Sequence, residues 1–98
     1  MKNLSKQDFI KAFRALANEE RLDIVLKLYE EGELCASAIE KNFFMEQSTT
    51  SHHLNYLRTV GILVARKQGR NIYYSVDAEL LTRLYDDFLK TQFNIKKK

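Results

Sequence analysis

Gln47, Ser48, Thr49, Ser51, His52 and Asn55 are compact polar side chains that donate and accept hydrogen bonds, and they stand in a stretch without carboxylates. Residues 47–76 hold no Asp or Glu but carry Arg58, Arg66, Lys67 and Arg70, a block of +4. The remaining residues have 12 Lys and Arg against 13 acids, so a net charge of +3 conceals a basic segment on a nearly neutral body. That body turns acidic once Lys96 to Lys98 are set aside. Cations that meet phosphates, next to small groups that reach base edges without filling a groove, suit a polyanion partner. Lys67, Gln68 and Arg70, flanking Gly69, add a second basic and polar point of contact.

Other reactive groups carry less. Cys35 is the single cysteine, which excludes an internal disulfide and paired-cysteine zinc sites; it is either a buried small hydrophobe, the more economical reading, or a thiol that senses oxidants. His52 and His53 are adjacent, and neighbours on a helix point about 100° apart, so they do not readily share one metal ion. His52 fits a DNA contact and His53 a packing or helix-face position. Glu79, Asp86 and Asp87 fit a solvated helix face better than a hard-cation site. No Gly-rich phosphate cradle, metal motif or activated nucleophile supports catalysis, so an enzyme is not expected.

The elements that must position these groups follow from periodicity. Ser5 starts a helix with Phe9, Ala12, Phe13, Leu16 and Ala17 on one face. Asn18 starts a second, with Leu22, Val25, Leu26 and Tyr29 as its inward stripe, Ile24 and Leu28 off that stripe, so that burial on more than one side is expected, and Gly32 as its stop. A short third helix fits 36–43, with Ala38, Ile39 and Phe43 inward. Residues 47–60 form a fourth, apolar at Leu54, Leu57 and Val60 and polar opposite. After Gly61 the period falls to two, giving a hairpin from Ile62 to Val76 with one of Tyr73 and Tyr74 inside. Asp77 starts a last helix whose stripe of Leu80, Leu81, Leu84, Tyr85, Phe88 and Leu89 is wide for so small a body. Residues 94–98 read as a frayed basic tail.

A chain of 98 residues, 45% apolar, 30% charged and without proline, is expected to be a single domain (1–98) with a core of its own and with help from a partner. It lacks an 18-residue apolar run and a secretory signal, which predicts a cytoplasmic protein with no membrane association. The order α-α-α-α-β-β-α, mainly helical with a β-hairpin wing, is the layout of a winged helix-turn-helix. Its fourth helix would enter the major groove and its hairpin would meet the adjacent backbone.

The chain resembles the ArsR/SmtB family of bacterial winged helix-turn-helix repressors. The matching runs are Ala-Leu-Ala-Asn-Glu-Glu-Arg-Leu at 15–22, Glu-Leu-Cys at 33–35, Gln-Ser-Thr-Thr-Ser-His-His-Leu at 47–54 and Gly-Arg-Asn-Ile-Tyr-Tyr-Ser-Val at 69–76. The resemblance implies a homodimer joined through its first and last helices, bound to double-stranded DNA at an imperfect palindromic operator, with Gln47, Ser48, Ser51 and His52 facing the DNA. The dimer contact would use Phe9, Phe13, Leu80, Leu81, Leu84, Tyr85 and Phe88. Family members commonly release DNA on binding a metal or metalloid. Here the usual cysteine pair is reduced to Cys35 with Ser37, and the ligand positions of the last helix are Ala78, Leu80, Thr91 and Asn94, so no metal or other cofactor is expected.

Thr50, where the family favours a larger aliphatic, is expected to turn its methyl inward. Phe44, where a small residue is usual, is either a cover over the core or an exposed apolar contact. Two other readings stand beside DNA binding: a winged-helix module for an acidic protein partner, and a redox-responsive regulator acting through Cys35.

Overall fold

The structure is a computed structural model and describes residues 4–95. Helix α1 (Lys6–Leu16) opens with a capping box, in which the Ser5 hydroxyl accepts the Asp8 N–H at 3.2 Å and the Asp8 carboxylate accepts the Ser5 N–H at 2.8 Å. Helix α2 (Glu19–Glu31) starts where the Asn18 side chain accepts the Arg21 N–H, and it stops at Gly32, whose φ of 90° an L side chain rarely adopts. Strand β1 (Leu34–Cys35), α3 (Ala36–Phe43) and α4 (Gln47–Thr59) follow, then β2 (Leu63–Gln68), β3 (Asn71–Val76) and α5 (Ala78–Gln92), the last capped by Asp77 through the Leu80 N–H.

The winged helix-turn-helix expected from the sequence is present, with one strand added. β1 pairs antiparallel with β3, Leu34 opposite Tyr74 and Cys35 opposite Tyr73, giving a three-stranded sheet in the order β1-β3-β2. Two residues are too few to show a period of two, so β1 is invisible as a pattern. It fastens the α2–α3 connection to the root of the wing. Across the hairpin Leu63 faces Val76, Ala65 faces Tyr74 and Lys67 faces Ile72, while Val64, Arg66 and Gln68 pair with Ser75, Tyr73 and Asn71 on the opposite side.

The core is built from Phe9, Ala12 and Ala15 of α1, Ile24, Val25 and Leu28 of α2, Ile39, Leu54 and Leu57, Ile62 and Leu63, Tyr74 and Leu84. Each fully buried Ile or Leu among them contributes about 1.5–3 kcal/mol. Helix α2 is rolled relative to the stripe expected from its sequence. Ile24 and Leu28, read as off the stripe, are fully buried, whereas Leu22, Leu26 and Tyr29 are exposed. Arg21 lies on the same inner face, and a buried cation there disguised the 21-24-25-28 spacing that marks the core side. In α1, Ala15 is buried where Ala17 was expected, and Ala17 is an exposed C-cap.

Two further places differ from, or decide, the sequence reading. Phe44 ends α3 in the left-handed region, at φ 51°, with its N–H bonded to the Glu40 carbonyl, and its side chain is 96% exposed. It is therefore not a cover over the core. Beyond α5, Asn94 takes φ 55° and the Ile95 N–H returns to the Leu89 carbonyl at 2.9 Å, at the start of the tail expected from residue 94. The rest of that expected tail, Lys96–Lys98, lies outside the described residues.

Candidate nucleic-acid interface

Helix α4 is amphipathic with its polar side outward. Thr50, His53, Leu54 and Leu57, at i, i+3, i+4 and i+7, are buried. Gln47, Ser48, Ser51, His52, Asn55 and Arg58 are exposed on the other side, and Thr49 is half-buried. The Thr50 hydroxyl, which would otherwise be a buried unpaired donor, bonds back to the Glu46 carbonyl at 3.0 Å, so its methyl fills the position inside. No side chain caps the start of α4. The N–H groups of its first turn are thus left for an outside acceptor, at the end of the helix that carries partial positive charge.

The alternation of the wing sorts its basic residues. Ala65, Lys67, Ile72 and Tyr74 share the face that looks across to α4, and with Asn55 and Arg58 they line a cleft of about 250 Å³. Gly69 and Arg70 make the two-residue turn; Gly69 has φ 62° and Arg70 does not, the pattern of a type II′ hairpin with glycine first. Arg58, Lys67 and Arg70 enter no ion pair among the described residues.

Arg66 points the other way. It grips the Glu33 carboxylate with two nitrogens, at 2.7 and 3.1 Å, lies 5.0 Å from the centre of the Tyr73 ring, and donates to the Gln68 side chain at 2.6 Å. The Arg66 hydrogen bond holds the Glu33 carboxyl below its ordinary pKa. The four cations of residues 47–76 are therefore three toward the α4 side and the tip, and one neutralised at the root. Gln68, expected at the interface, is engaged with Arg66.

Two interactions fix α4 against the body, and sequence reasoning passed over both. The buried Arg21 guanidinium donates to the Ala15 and Arg14 carbonyls at 2.7 and 3.3 Å, satisfying the open end of α1, and it stacks 4.3 Å from the Tyr56 ring of α4. His53 is buried, and its Nε2 meets Glu20 of α2 at 3.0 Å; its Nδ1 is buried without a partner. The readable signal was spacing: Arg21 sits on the core side of α2, three, four and seven residues before Ile24, Val25 and Leu28.

Cys35 is half-exposed at the start of α3. Its sulfur lies 3.2 Å from the Ser37 hydroxyl, and that hydrogen bond, with the backbone amide of Ala38, holds the thiol below its ordinary pKa. A hydroxyl in this place is a poor partner for a thiophilic ion, so the residues present do not fit the metal site that the resemblance implies. Among the described residues no group of three or more His, Cys, Asp or Glu side chains is gathered as a metal site, and no helix is long and apolar enough to cross a membrane.

The residues expected at a dimer contact divide. Phe9 and Leu84 are buried within the chain, whereas Phe13 is 37% and Tyr85 63% exposed, with Leu80, Leu81 and Phe88 between. Phe88 bridges the helices, packing edge-on against both Phe9 and Phe13, and against Phe93.

The sequence model for "Bacterial regulatory protein, arsR family" matches residues 18–64, from the start of α2 to the first residues of the wing. A cadmium resistance transcriptional regulatory protein, CadC homolog, of Staphylococcus aureus is 39% identical over 88 residues, covering 87% of this chain and 73% of its own length. The chain belongs to the ArsR family. It is a DNA-binding transcriptional regulator, in a family that is not one of enzymes. The arsenical resistance operon repressor of Escherichia coli is 41% identical over 71 residues, covering 72% of this chain and 61% of the repressor. In fold, an ArsR-like transcriptional regulator from Rhodococcus sp. RHA1 superposes with a TM-score of 0.81 at 23% identity, over 90% of this chain and 82% of that one.

Proposed function

We propose that the chain acts as a homodimeric repressor that reads an imperfect palindromic operator without a metal effector. The observation that carries this reading is the exposed, carboxylate-free side of α4 facing Lys67 across a cleft with Arg58. Gln47, Ser48, Thr49, Ser51 and His52 read base edges in the major groove, Asn55, Arg58 and Lys67 hold the flanking backbone, and Arg70, at the tip with Gln68 beside it, reaches the next phosphate or the minor groove. The repressor sign follows the E. coli relative, whose name states it. A second copy, docked on Phe13, Tyr85 and their neighbours, supplies the second half-site reader and covers apolar surface that one chain leaves open. Two relatives are named for cadmium and arsenical resistance, yet the Cys35 and Ser37 pair, and Ala78, Leu80, Thr91 and Asn94 at the other ligand positions, argue for a different signal here.

Fluorescence anisotropy with the DNA upstream of the chain's own gene, at several salt concentrations, tests the reading. A dimer with about 6–10 phosphate contacts loses about 10³-fold or more in affinity between 50 and 200 mM salt. Equal affinity for that DNA and for random duplex would sink it.

A further inference from the structure

Phe44 is placed at a double cost. A left-handed residue at the end of a helix is normally glycine or asparagine, because a Cβ crowds the following carbonyl in that conformation. The cap itself needs only the backbone, since the Phe44 N–H and the Met45 N–H both reach the Glu40 carbonyl. The aromatic ring adds nothing to this, and at 96% exposure it touches almost nothing in the chain, while Phe43 and Met45 on either side are half-buried and anchor the turn. Leu26 and Tyr29 are also exposed, but they sit in regular helix and meet no such backbone penalty.

Position gives the ring an occupant. Phe44 lies three residues before Gln47, at the end of α4 whose first turn is uncapped and whose outer side reads DNA. A group there stands on the turn that leads directly into the first turn of α4. The sugar-phosphate backbone offers little to a ring without a hydrogen-bond donor, whereas the 5-methyl of thymine is the apolar feature of the major groove, and phenylalanine is among the side chains that contact it. We propose that Phe44 is a specificity residue that packs against a thymine methyl at the outer edge of each half-site, so that the operator carries a required T there. This rests on the DNA-binding reading above, and it extends that reading to a residue outside the polar set.

The test crosses one protein change with one DNA change. Duplexes are first selected from a random library by the full chain, and the enriched site is then made with uracil in place of each thymine in turn, which removes only the methyl. At one thymine per half-site the change should weaken wild-type binding about fourfold, the transfer free energy of one buried methyl. Phe44→Gly, which suits the left-handed backbone and should leave Tm unchanged or raised, should bind the thymine and uracil duplexes equally; Phe44→Asn serves as the second left-handed variant should the first be poorly folded. An equal thymine preference in the wild type and both variants, or none in the wild type, overturns the proposal. Self-association lost on removing Phe44, with no change in thymine preference, also overturns it, in favour of a protein contact. Enrichment of no duplex at all overturns the DNA-binding reading, and this one with it.

Discussion

His53 Nε2 on α4 stands 3.0 Å from Glu20 Oε1 in the first turn of α2, tying α4 to the element that packs behind it. The imidazole is buried and the carboxylate half-exposed, so the two ends are unequal. His53→Ala removes a core-filling ring and the side chain that joins α4 to α2; it should cost about 1–3 kcal/mol of unfolding free energy in urea melts. Glu20→Gln keeps a hydrogen-bond acceptor in reach and, with its outer edge in water, should cost less than about 1 kcal/mol. Comparable losses in both variants would show that the contact, and not the burial, is what matters.

The pleat of the wing makes a second prediction. Lys67 faces the α4 cleft and Arg66 faces Glu33, although the two are adjacent and equally basic in sequence. Lys67→Ala should weaken binding to every duplex and flatten the log–log salt slope by about 1 per chain, the signature of a lost phosphate contact. Arg66→Ala should leave that slope nearly unchanged and instead loosen the wing root. Gln47→Ala and Ser51→Ala should alter sequence preference with the slope intact. Anisotropy titrations of the four variants on operator and random DNA separate these outcomes, and a flattened slope in Arg66→Ala would refute the division of labour.

The same contrast explains how much could be read beforehand. Helices α1, α2 and α5 were legible because each carries a cap or stop of known chemistry, Ser5, Asn18, Gly32, Asp77, and an apolar period, whereas α3, α4 and the hairpin were legible from their period. The inward face of α2 was misjudged because Arg21, a cation, occupies a core position, and its burial depends on the Ala15 and Arg14 carbonyls and the Tyr56 ring, partners that only the folded chain assembles. β1 escaped because its two residues gain meaning only opposite Tyr73 and Tyr74. The polar side of α4 was legible except at Thr49, which is half-buried, since a carboxylate-free run is a property of the sequence alone. The pairing of Arg66 with Glu33, 33 residues away, was not.

Cys35 offers a pH test. Ser37 and the amide of Ala38 favour the thiolate, so the pKa lies below that of an ordinary thiol. Alkylation by iodoacetamide, which follows thiolate, should therefore reach half its plateau rate at lower pH in the wild type than in Ser37→Ala, where the hydroxyl hydrogen bond to the sulfur is gone. Coincident profiles would show that the hydroxyl does not act on the sulfur.

The metal question has a direct assay. With Ser37 beside Cys35, and Ala78, Leu80, Thr91 and Asn94 on or just past α5, zinc, cadmium and arsenite at micromolar concentration should leave operator affinity within about twofold, well under the 5–150-fold range of typical allosteric coupling. Release of DNA by cadmium that is abolished by Cys35→Ser would reverse this conclusion and bring the chain's effector into line with its cadmium-resistance relative.

Finally, burial separates residues that hold the chain from residues that would hold two chains together. Leu84 is almost fully buried, while Tyr85, the next residue, is largely exposed, and Phe13 sits between these extremes against Phe88. Leu84→Ala should destabilise the fold by about 2–5 kcal/mol, the range for a core leucine, and its effect on association should follow from that loss. Tyr85→Glu and Phe13→Glu place a carboxylate on exposed surface and should leave the fold intact by circular dichroism. In a dimer joined through α1 and α5 the same carboxylate is buried and unpaired, so sedimentation should shift to the monomer and operator affinity should fall steeply as the second half-site reader is lost. A Tyr85→Glu, Phe13→Glu double variant that still sediments as a dimer would move the interface away from these helices.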